Sequence, residues 1–360
     1  ALSASALGDD ALVGSGDGNL WFVNWPELTA VRLLSAHSDS VTAVSFAEDD
    51  ALLVSGSRDG SVRLWSHGRG AGPWEGVVQF QVASPFTGVT CLVASKVRSA
   101  VVAGYSDGCV RVFDLRTLSL VGLHKAFSDA PVTAVAVGGI RDSAILAGSG
   151  NGDVVVLDTG NGAVLKRIGE HAGARIDCID VSSLDPQLWL VGSADRRVSV
   201  WRTRWRSDKY ALVDWLTFAA PPIPEQGATG AAEGNAAGRA GAPTLAVFSP
   251  VEPDMIVYSG YGDAPAILLY SLVHEEVLRS LPLGRDQWPL TLSVVATGRT
   301  PMVAIGLAER VLKLVDYWEG TFQDFVGHSG AVGAVAVTDS GSALVSGSSC
   351  GDICVWDVTA

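Results

Sequence analysis

The sequence predicts an all-β propeller of eight blades. Three observations predict it: a strand–turn–strand unit written eight times, near-constant spacing between units, and period-two alternation inside each strand. Clear copies are LVSGSRDGSVRLWS (53–66), VVAGYSDGCVRVFD (101–114), ILAGSGNGDVVVLD (145–158), WLVGSADRRVSVWR (189–202) and LVSGSSCGDICVWD (344–357). Weaker ones are ALVGSGDGNLWFVN (11–24), IVYSGYGDAPAILLYS (256–271) and MVAIGLAERVLKLVD (302–316). Each is an apolar strand, a small-residue turn and a second alternating strand.

A large apolar residue closes each hairpin, at Val23, Trp65, Phe113, Leu157, Trp201, Tyr270, Val315 and Trp356. The intervals are 42, 48, 44, 44, 69, 45 and 41 residues, and the outlier contains AAPPIPEQGATGAAEGNAAGRAGAP, residues 219–243. That tract is low in complexity and too small and polar to pack, so it reads as a loop insertion. Without its 25 residues the interval returns to 44. A further strand precedes most hairpins (VTAVSF 41–46, VTCLVA 89–94, VTAVAV 132–137, IDCIDV 176–181, TLAVF 244–248, AVGAVAV 331–337). A fourth follows most (AVRLL 30–34, SLVGLH 119–124, AVLKRI 163–168, ALVDWLTF 211–218, VLRSL 277–281). One such sheet cannot bury both faces, so blades must pack radially, with Gly56, Gly104, Gly148, Gly192 and Gly306 at the close approaches.

Residues 1–360 thus read as a single propeller, and the first unit as a complete blade; seven blades, with that unit in a neighbouring domain, is the alternative. The last unit ends at its third strand. Its fourth is expected from upstream of Ala1, or the blade is three-stranded with an open edge. The chain starts without a methionine and reads as a processed chain or a piece of a longer protein.

Composition narrows the function classes. Hydrophobic residues are 48% against 18% charged, with 41 glycines, a globular and turn-rich balance. The net charge of −13 argues against general nucleic-acid or anionic-membrane binding, which needs an excess of Lys and Arg. Five scattered cysteines (Cys91, Cys109, Cys178, Cys350, Cys354) read as reduced thiols of an intracellular protein. Cys350 and Cys354 lack partners to complete a zinc set, so no metal is expected. There is no 18-residue apolar run and no phosphate loop, H-E-x-x-H or G-x-S-x-G turn, so neither a membrane span nor a cofactor or catalytic motif is expected.

A repeat of this length closing on Trp356-Asp357, with the degenerate forms Phe113-Asp114, Leu157-Asp158 and Val315-Asp316, resembles WD40 propeller blades. Such blades share a hydrogen-bonded His, Ser or Thr, Asp and Trp. The second unit carries all four, as His37, Ser55, Asp59 and Trp65. Elsewhere the Asp becomes Asn151, Glu309 or Cys350, and the Ser becomes Ala103, Ala147, Val191 or Ile305. A catalytic set occurs once, whereas this one recurs in register and erodes, so the four are read as a structural staple and no enzyme is expected.

One stretch departs from the acidic background: ADRRVSVWRTRWRSDK, residues 194–209. Arg196, Arg197, Arg202, Arg204, Arg206 and Lys209, with Trp205, are the candidate protein-binding residues. If the strand continues past Trp201, period two puts Arg202, Arg204 and Arg206 on one side and the tryptophans on the other. The bland reading is a solvated outer strand with its tryptophans in the core. The sharper one is a docking patch for an acidic protein.

LVGSADRRVSVW (190–201), LVDWLTF (212–218), YSGYGDAPAILLYS (258–271), GLAERVLKLVD (306–316) and QDFVGH (323–328) are more specific than generic WD40. They resemble the C-terminal propeller of the centriolar WD-repeat family, known as WD repeat-containing protein ninety in animals and proteome-of-centriole protein sixteen in algae. The resemblance implies a non-enzymatic scaffold of centrioles, basal bodies or cilia, in the cytoplasm and cytoskeleton. Its implied partners are centriolar or ciliary scaffold proteins; tubulin enters only as an acidic surface that the basic strip would suit, and no nucleic acid, membrane or cofactor is expected. The family's microtubule-binding N-terminal domain has no counterpart in these residues. The rivals are a generic adaptor, such as a ubiquitin-ligase substrate receptor or ribosome-assembly factor, and a propeller hydrolase acting at the central channel.

The insertion yields a first prediction. Excising most of residues 219–243 is expected to leave the melting temperature nearly unchanged, because its composition offers no apolar periodicity to pack. Calorimetry on the shortened chain checks this, and loss of cooperative melting would show that the tract packs.

Overall fold

The computed structural model describes residues 1–5, 10–24, 29–33, 36–67, 74–81, 87–95, 97–171, 173–207, 209–217, 242–261, 264–297, 300–337 and 343–358. Eight antiparallel sheets follow in chain order. Blade 1 is β1 (Leu2–Ala4), β2 (Asp10–Gly14), β3 (Leu20–Asn24) and β4 (Thr29–Leu33). Blade 2 is β5 (Val41–Ala47), β6 (Leu52–Ser57), β7 (Ser61–His67) and β8 (Trp74–Gln81). Blade 3 is β9 (Val89–Ser95), β10 (Ala100–Tyr105), β11 (Cys109–Asp114) and β12 (Ser119–Lys125). Blade 4 is β13 (Val132–Gly138), β14 (Ala144–Ser149), β15 (Val154–Asp158) and β16 (Val164–Ile168). Blade 5 is β17 (Ile176–Val181), β18 (Leu188–Ser193), β19 (Arg197–Arg204) and β20 (Lys209–Thr217). Blade 6 is β21 (Ala246–Phe248), β22 (Met255–Tyr261), β23 (Pro265–Ser271) and β24 (Glu276–Pro282). Blade 7 is β25 (Pro289–Thr297), β26 (Thr300–Leu307), β27 (Val311–Asp316) and β28 (Phe322–Val326). Blade 8 is β29 (Val332–Val337), β30 (Ala343–Ser348) and β31 (Ile353–Asp357). A single 3-10 turn, Trp205–Ser207, is the only helical element among the described residues.

Each inner strand touches the next, from β1 to β5 and on to β29, and β29 touches β1. The ring therefore closes with eight blades, and the first unit is one of them. Its inner strand β1, and β8, β25 and β28, carry too little apolar periodicity to be read from the chain: β28, for example, exposes four of its five residues. Blade 8 has three strands among the described residues. The expected insertion at 219–243 lies outside the described residues except for Ala242 and Pro243.

The core lies between blades, not within them. Val102, Val110 and Val112 of blade 3 pack on Ile145, Ala147 and Val155 of blade 4. Ala11, Val13 and Val23 of blade 1 meet Val345 of blade 8 and seal the ring. Second-strand glycines set the spacing. A Cβ on Gly14 would stand 2.4 Å from Val41, one on Gly56 2.7 Å from Val89, and one on Gly148 2.6 Å from Ile176. Each clash is with the first residue of the next inner strand or the residue beside it.

The turns between second and third strands define one face of the ring, here the upper face; the turns between first and second, and third and fourth, define the lower. Gly60 shows what an upper turn needs: its φ is +83° and a Cβ would lie 2.5 Å from the Thr87 carbonyl oxygen, so only glycine fits there without strain.

The close approach gives a graded prediction. Gly148→Ala is expected to lose about 1–3 kcal/mol, as overpacking does, because Ile176 Cβ would sit 2.8 Å from the new atom. Gly347→Ala at the closing interface should be neutral or slightly stabilising, since its nearest neighbour, Leu2, is 4.0 Å away. Denaturant melts of the two variants check this, and equal losses would refute it.

Candidate functional site

The blade-2 staple is built from four elements. His37 Nε2 lies 2.8 Å from Ser55 Oγ, and Trp65 Nε1–H donates to the same oxygen at 3.2 Å. His37 Nδ1 faces Ser61 Oγ at 2.9 Å and Asp59 Oδ2 at 3.3 Å. With the proton on Nδ1, every group is satisfied: Ser55 donates to Nε2 and accepts from Trp65. Burial pushes His37 down to about 4, although Asp59 pulls the other way. Burial raises the Asp59 carboxyl, but hydrogen bonds from Ser61 and Ser38 outweigh it and hold it at about 2.

Blade 5 contains a second full set that alignment of the repeat misses. His171 Nε2 meets Ser199 Oγ at 2.9 Å, His171 Nδ1 meets Asp195 Oδ2 at 2.9 Å, and Trp201 Nε1–H donates to Ser199 at 3.0 Å. The serine has changed strands. In blade 2 Ser55 pairs across from Arg63, and in blade 5 Val191 pairs across from Ser199, so the hydroxyl occupies the same cross-strand site from the opposite side. Blade 8 keeps His328, Ser346 and Trp356, with bonds of 2.6 and 2.7 Å to the serine. Cys354 Sγ, at 3.7 Å, faces His328 Nδ1, while Asp352 accepts from the Ser329 N–H at 2.7 Å.

These sets lack the attributes of a catalytic centre. Ser55, Ser199 and Ser346 are wholly buried. A histidine held near 4 is a weak general base at neutral pH. Burial pushes the Cys91 thiol up to about 11 and Cys178 to about 12, so neither is a thiolate nucleophile. Two connected hollows open on the upper face. One of about 540 Å³ is lined by Asp39, Thr42, Arg58 and Thr90, and one of about 250 Å³ by Thr90, Thr133, Arg175 and Asp177. No His, Cys or Glu lines either among the described residues. No group of three or more His, Cys, Asp or Glu is placed to hold a metal among them.

The threonines in those hollows do something the sequence did not reveal: they tie blades together. Thr42 Oγ1 donates to the Val89 carbonyl at 2.8 Å, and Thr133 Oγ1 to the Ile176 carbonyl at 2.7 Å. At the equivalent place in blade 5, Asp177 accepts from the Thr244 N–H at 2.9 Å.

The basic strip divides. Arg196 sits in the upper turn at φ +64°, where blade 2 has Gly60. Arg197 pairs with Asp195 at 2.9 Å and lies 4.5 Å over the Trp215 ring, so it serves the staple. Seven steps of strand then carry the chain from Arg197 to Arg204, about 23 Å at the usual rise. Strand β19 does continue past Trp201, but only to Arg204; Arg206 falls in the 3-10 turn. The alternation thus holds for Arg202 and Arg204, both exposed around a buried Thr203, and not for a third arginine. Arg202 pairs with Asp185 at 3.0 Å, while Arg204, Arg206 and Lys209 are exposed at the lower face. Trp205 is half-buried, its Nε1–H donating to the Pro186 carbonyl at 2.8 Å.

The strand-swapped serine can be tested by rescue. Ser199→Val strands a buried Trp201 N–H and is expected to cost about 1–3 kcal/mol. Adding Val191→Ser should return most of it by rebuilding the blade-2 arrangement. Thermal melts of the single and double variants check this; a double variant no more stable than Ser199→Val would refute the shared site.

Comparison with known proteins agrees with this architecture. A family model described as WDR90, 4th beta-propeller, matches residues 40–360. WD repeat-containing protein 90 of Xenopus tropicalis is 34% identical over 374 residues, covering 98% of this chain and 19% of that protein. The Homo sapiens protein of that name is 34% identical over 366 residues, covering 97% of this chain and 20% of its own. The chain thus spans about a fifth of the length of these relatives. The crystal structure of the computationally designed Ika8 protein matches with a TM-score of 0.72 at 21% identity, covering 99% of this chain and 95% of that one, a likeness of fold alone. With nearly the whole ring accounted for by one family model, the chain belongs to the WDR90 family, at its fourth β-propeller.

Proposed function

We propose that this propeller is a non-enzymatic protein-interaction scaffold of centrioles, basal bodies or cilia, acting on the cytoskeleton in the cytoplasm. The observation that carries the reading is the family membership, which extends the resemblance of the second-half strings to residues 40–360. Physical features support it. The recurring polar sets are buried staples, and the exposed chemistry is charge and aliphatic surface, which serves binding more readily than bond-making. Among the described residues no helix is long and apolar enough to cross a membrane. The charge of −13 disfavours nucleic acid.

Partners under this reading are centriolar or ciliary scaffold proteins, with tubulin reached through the lower-face arginines Arg202, Arg204 and Arg206. Residues 1–360 act as one docking unit, with the tract at 219–243 as a tolerated loop. Imaging the tagged full-length protein against a centriole marker is expected to show coincidence that is weakened by deleting the propeller. Affinity purification from ciliated and non-ciliated cells should recover scaffold proteins from the former. A diffuse signal, with ubiquitin-ligase subunits or ribosome-assembly factors recovered from both, would replace this reading with that of a generic adaptor.

A further inference from the structure

The lower face carries a pattern that the repeat units hide, because it lies in the turns between first and second strands. In blades 3, 4, 5 and 6 those turns contain the triplets VRS (97–99), IRD (140–142), LDP (184–186) and VEP (251–253). Each begins with an aliphatic residue in water: Val97 is 56% exposed, Ile140 47%, Leu184 46% and Val251 49%. Hydrophobic side chains placed alike on four successive blades form an arc, and such aligned exposure marks binding surface more than scattered exposure does.

The turns are held to one another. Arg98 Nε–H donates to the Arg141 carbonyl at 3.0 Å, and Ser95 Oγ–H to Asp142 at 2.6 Å, joining blades 3 and 4. The Trp205 ring stands 3.3 Å from where a Cβ on Gly139 would be, joining blade 4 to the arginine-bearing turn of blade 5. The surface is therefore preorganised, which lowers the entropy lost on binding.

Charge along the arc identifies the occupant. In the lower turns of blades 3 to 5, the basic side chains are Arg98, Arg116, Arg141, Arg202, Arg204, Arg206 and Lys209, against Asp114, Asp142, Asp158 and Asp185 among the described residues. Asp185 is paired with Arg202, while Asp142, Asp114 and Asp158 keep their charge and accept from Ser95 and from backbone N–H groups of their own turns, so the sector holds seven basic against four acidic side chains. The sector is bounded by Glu48, Asp49 and Asp50 in blade 2 and by Glu252, Asp254, Glu275 and Glu276 in blade 6. A positive, aliphatic-studded sector confined on an acidic molecule fits an acidic segment with apolar residues at regular intervals. Neighbouring sheets pack ~10 Å apart, which a chain in the extended polyproline II conformation covers in about three residues at ~3.1 Å each, with every third side chain on the same side. Three steps round an eight-bladed ring turn through more than a right angle, so a bending extended chain follows the arc and a straight helix does not.

We infer that the lower-face arc from Val97 to Val251 is a docking surface for an extended segment of a partner protein that is acidic where it crosses blades 3 to 5 and bears an aliphatic residue at every third position. This rests on the reading of the ring as a docking scaffold and names its face and the chemistry of its partner. The probe contains nothing centriolar, so its outcome is separate from the localisation result. It is a fluorescein-labelled peptide of four Glu-Glu-Leu repeats, with four Glu-Glu-Ser repeats as control, titrated with the purified propeller by fluorescence anisotropy at low and high salt. The leucine peptide is expected to bind about tenfold more tightly than the serine peptide, a modest hot-spot difference. Arg98→Glu with Arg141→Glu should weaken it about tenfold and reduce its salt dependence. Ile140→Ser should weaken it without changing that dependence, and Arg58→Glu on the upper face should leave it unchanged. Far-ultraviolet circular dichroism and melting confirm that each variant is folded, and Val97→Ser stands in for Ile140→Ser should that one not be. Equal affinity for both peptides, or arc variants that bind like the parent, would overturn the inference. So would sedimentation showing a dimer that Ile140→Ser dissolves, which assigns the arc to a second copy, or binding of phosphatidylserine vesicles lost in the same variant, which assigns it to a membrane.

Discussion

The ring depends on how closely one blade can approach the next. At the second strand of most blades a glycine faces the start of the following inner strand, and the missing side chain is filled by Val41, Val89, Val132, Ile176 or Val332. A β-branched residue opposite a glycine interlocks two twisted sheets at near-crystalline density while leaving each backbone in its own ladder. Because the core lies in these seams, no blade is stable alone and every seam supports its neighbours. The closing seam is more open at this position than those at Gly14, Gly56, Gly104 and Gly148: Gly347 has only Leu2, at 4.0 Å, and blade 8 has three strands among the described residues.

The polar staples answer a different demand. An upper turn exposes backbone N–H groups while its histidine, serine and tryptophan are drawn inside, and a buried polar group without a partner costs more than a satisfied one contributes. Blades meet this demand in different ways. Blade 2 uses a second-strand serine and blade 5 a third-strand serine, while blade 8 turns His328 toward a cysteine. What is retained is one hydroxyl between a histidine and a tryptophan, not a residue at a sequence position. Neutral, buried histidines follow from the same geometry: burial lowers His171 and His328 as it does His37, which suits a structural acceptor and not a proton carrier.

That distinction explains what could be read from the chain. Hairpins with buried second and third strands were legible because eight copies of one pattern average out local noise, and the glycines stood out at fixed offsets. Strands β1, β25 and β28 were not: one has three residues, one starts at Pro289 and one is mostly exposed, so each is defined by pairing with a neighbour and not by its own pattern. Ser199 was invisible to alignment because register across strands, not along them, places it beside His171. The basic run looked continuous because adjacency in sequence was taken for adjacency in space. The strand carries Arg197 and Arg204 to opposite faces.

The seam between blades 5 and 6 shows how a propeller accommodates a long interruption. Closing a longer loop costs little more than closing a short one, because the entropy grows only with the logarithm of length. The difficulty is to reseat the chain afterwards, and β21 has just three residues to do it. Here IDCIDV supplies what the strand lacks. Asp177 accepts from the Thr244 N–H at 2.9 Å, Asp180 accepts from the Phe248 N–H at 2.8 Å, and Cys178 donates to the Thr244 carbonyl at 3.3 Å. These bonds fix β21 to β17 directly. Burial pushes Asp180 up to about 6, while the Phe248 and Val181 N–H groups it faces favour its charge. Where other seams are held by threonine hydroxyls, this one is held by carboxylates, and charge-assisted bonds are the stronger kind. A seam reinforced at the point of interruption is what allows one blade interval to grow while the ring keeps its spacing.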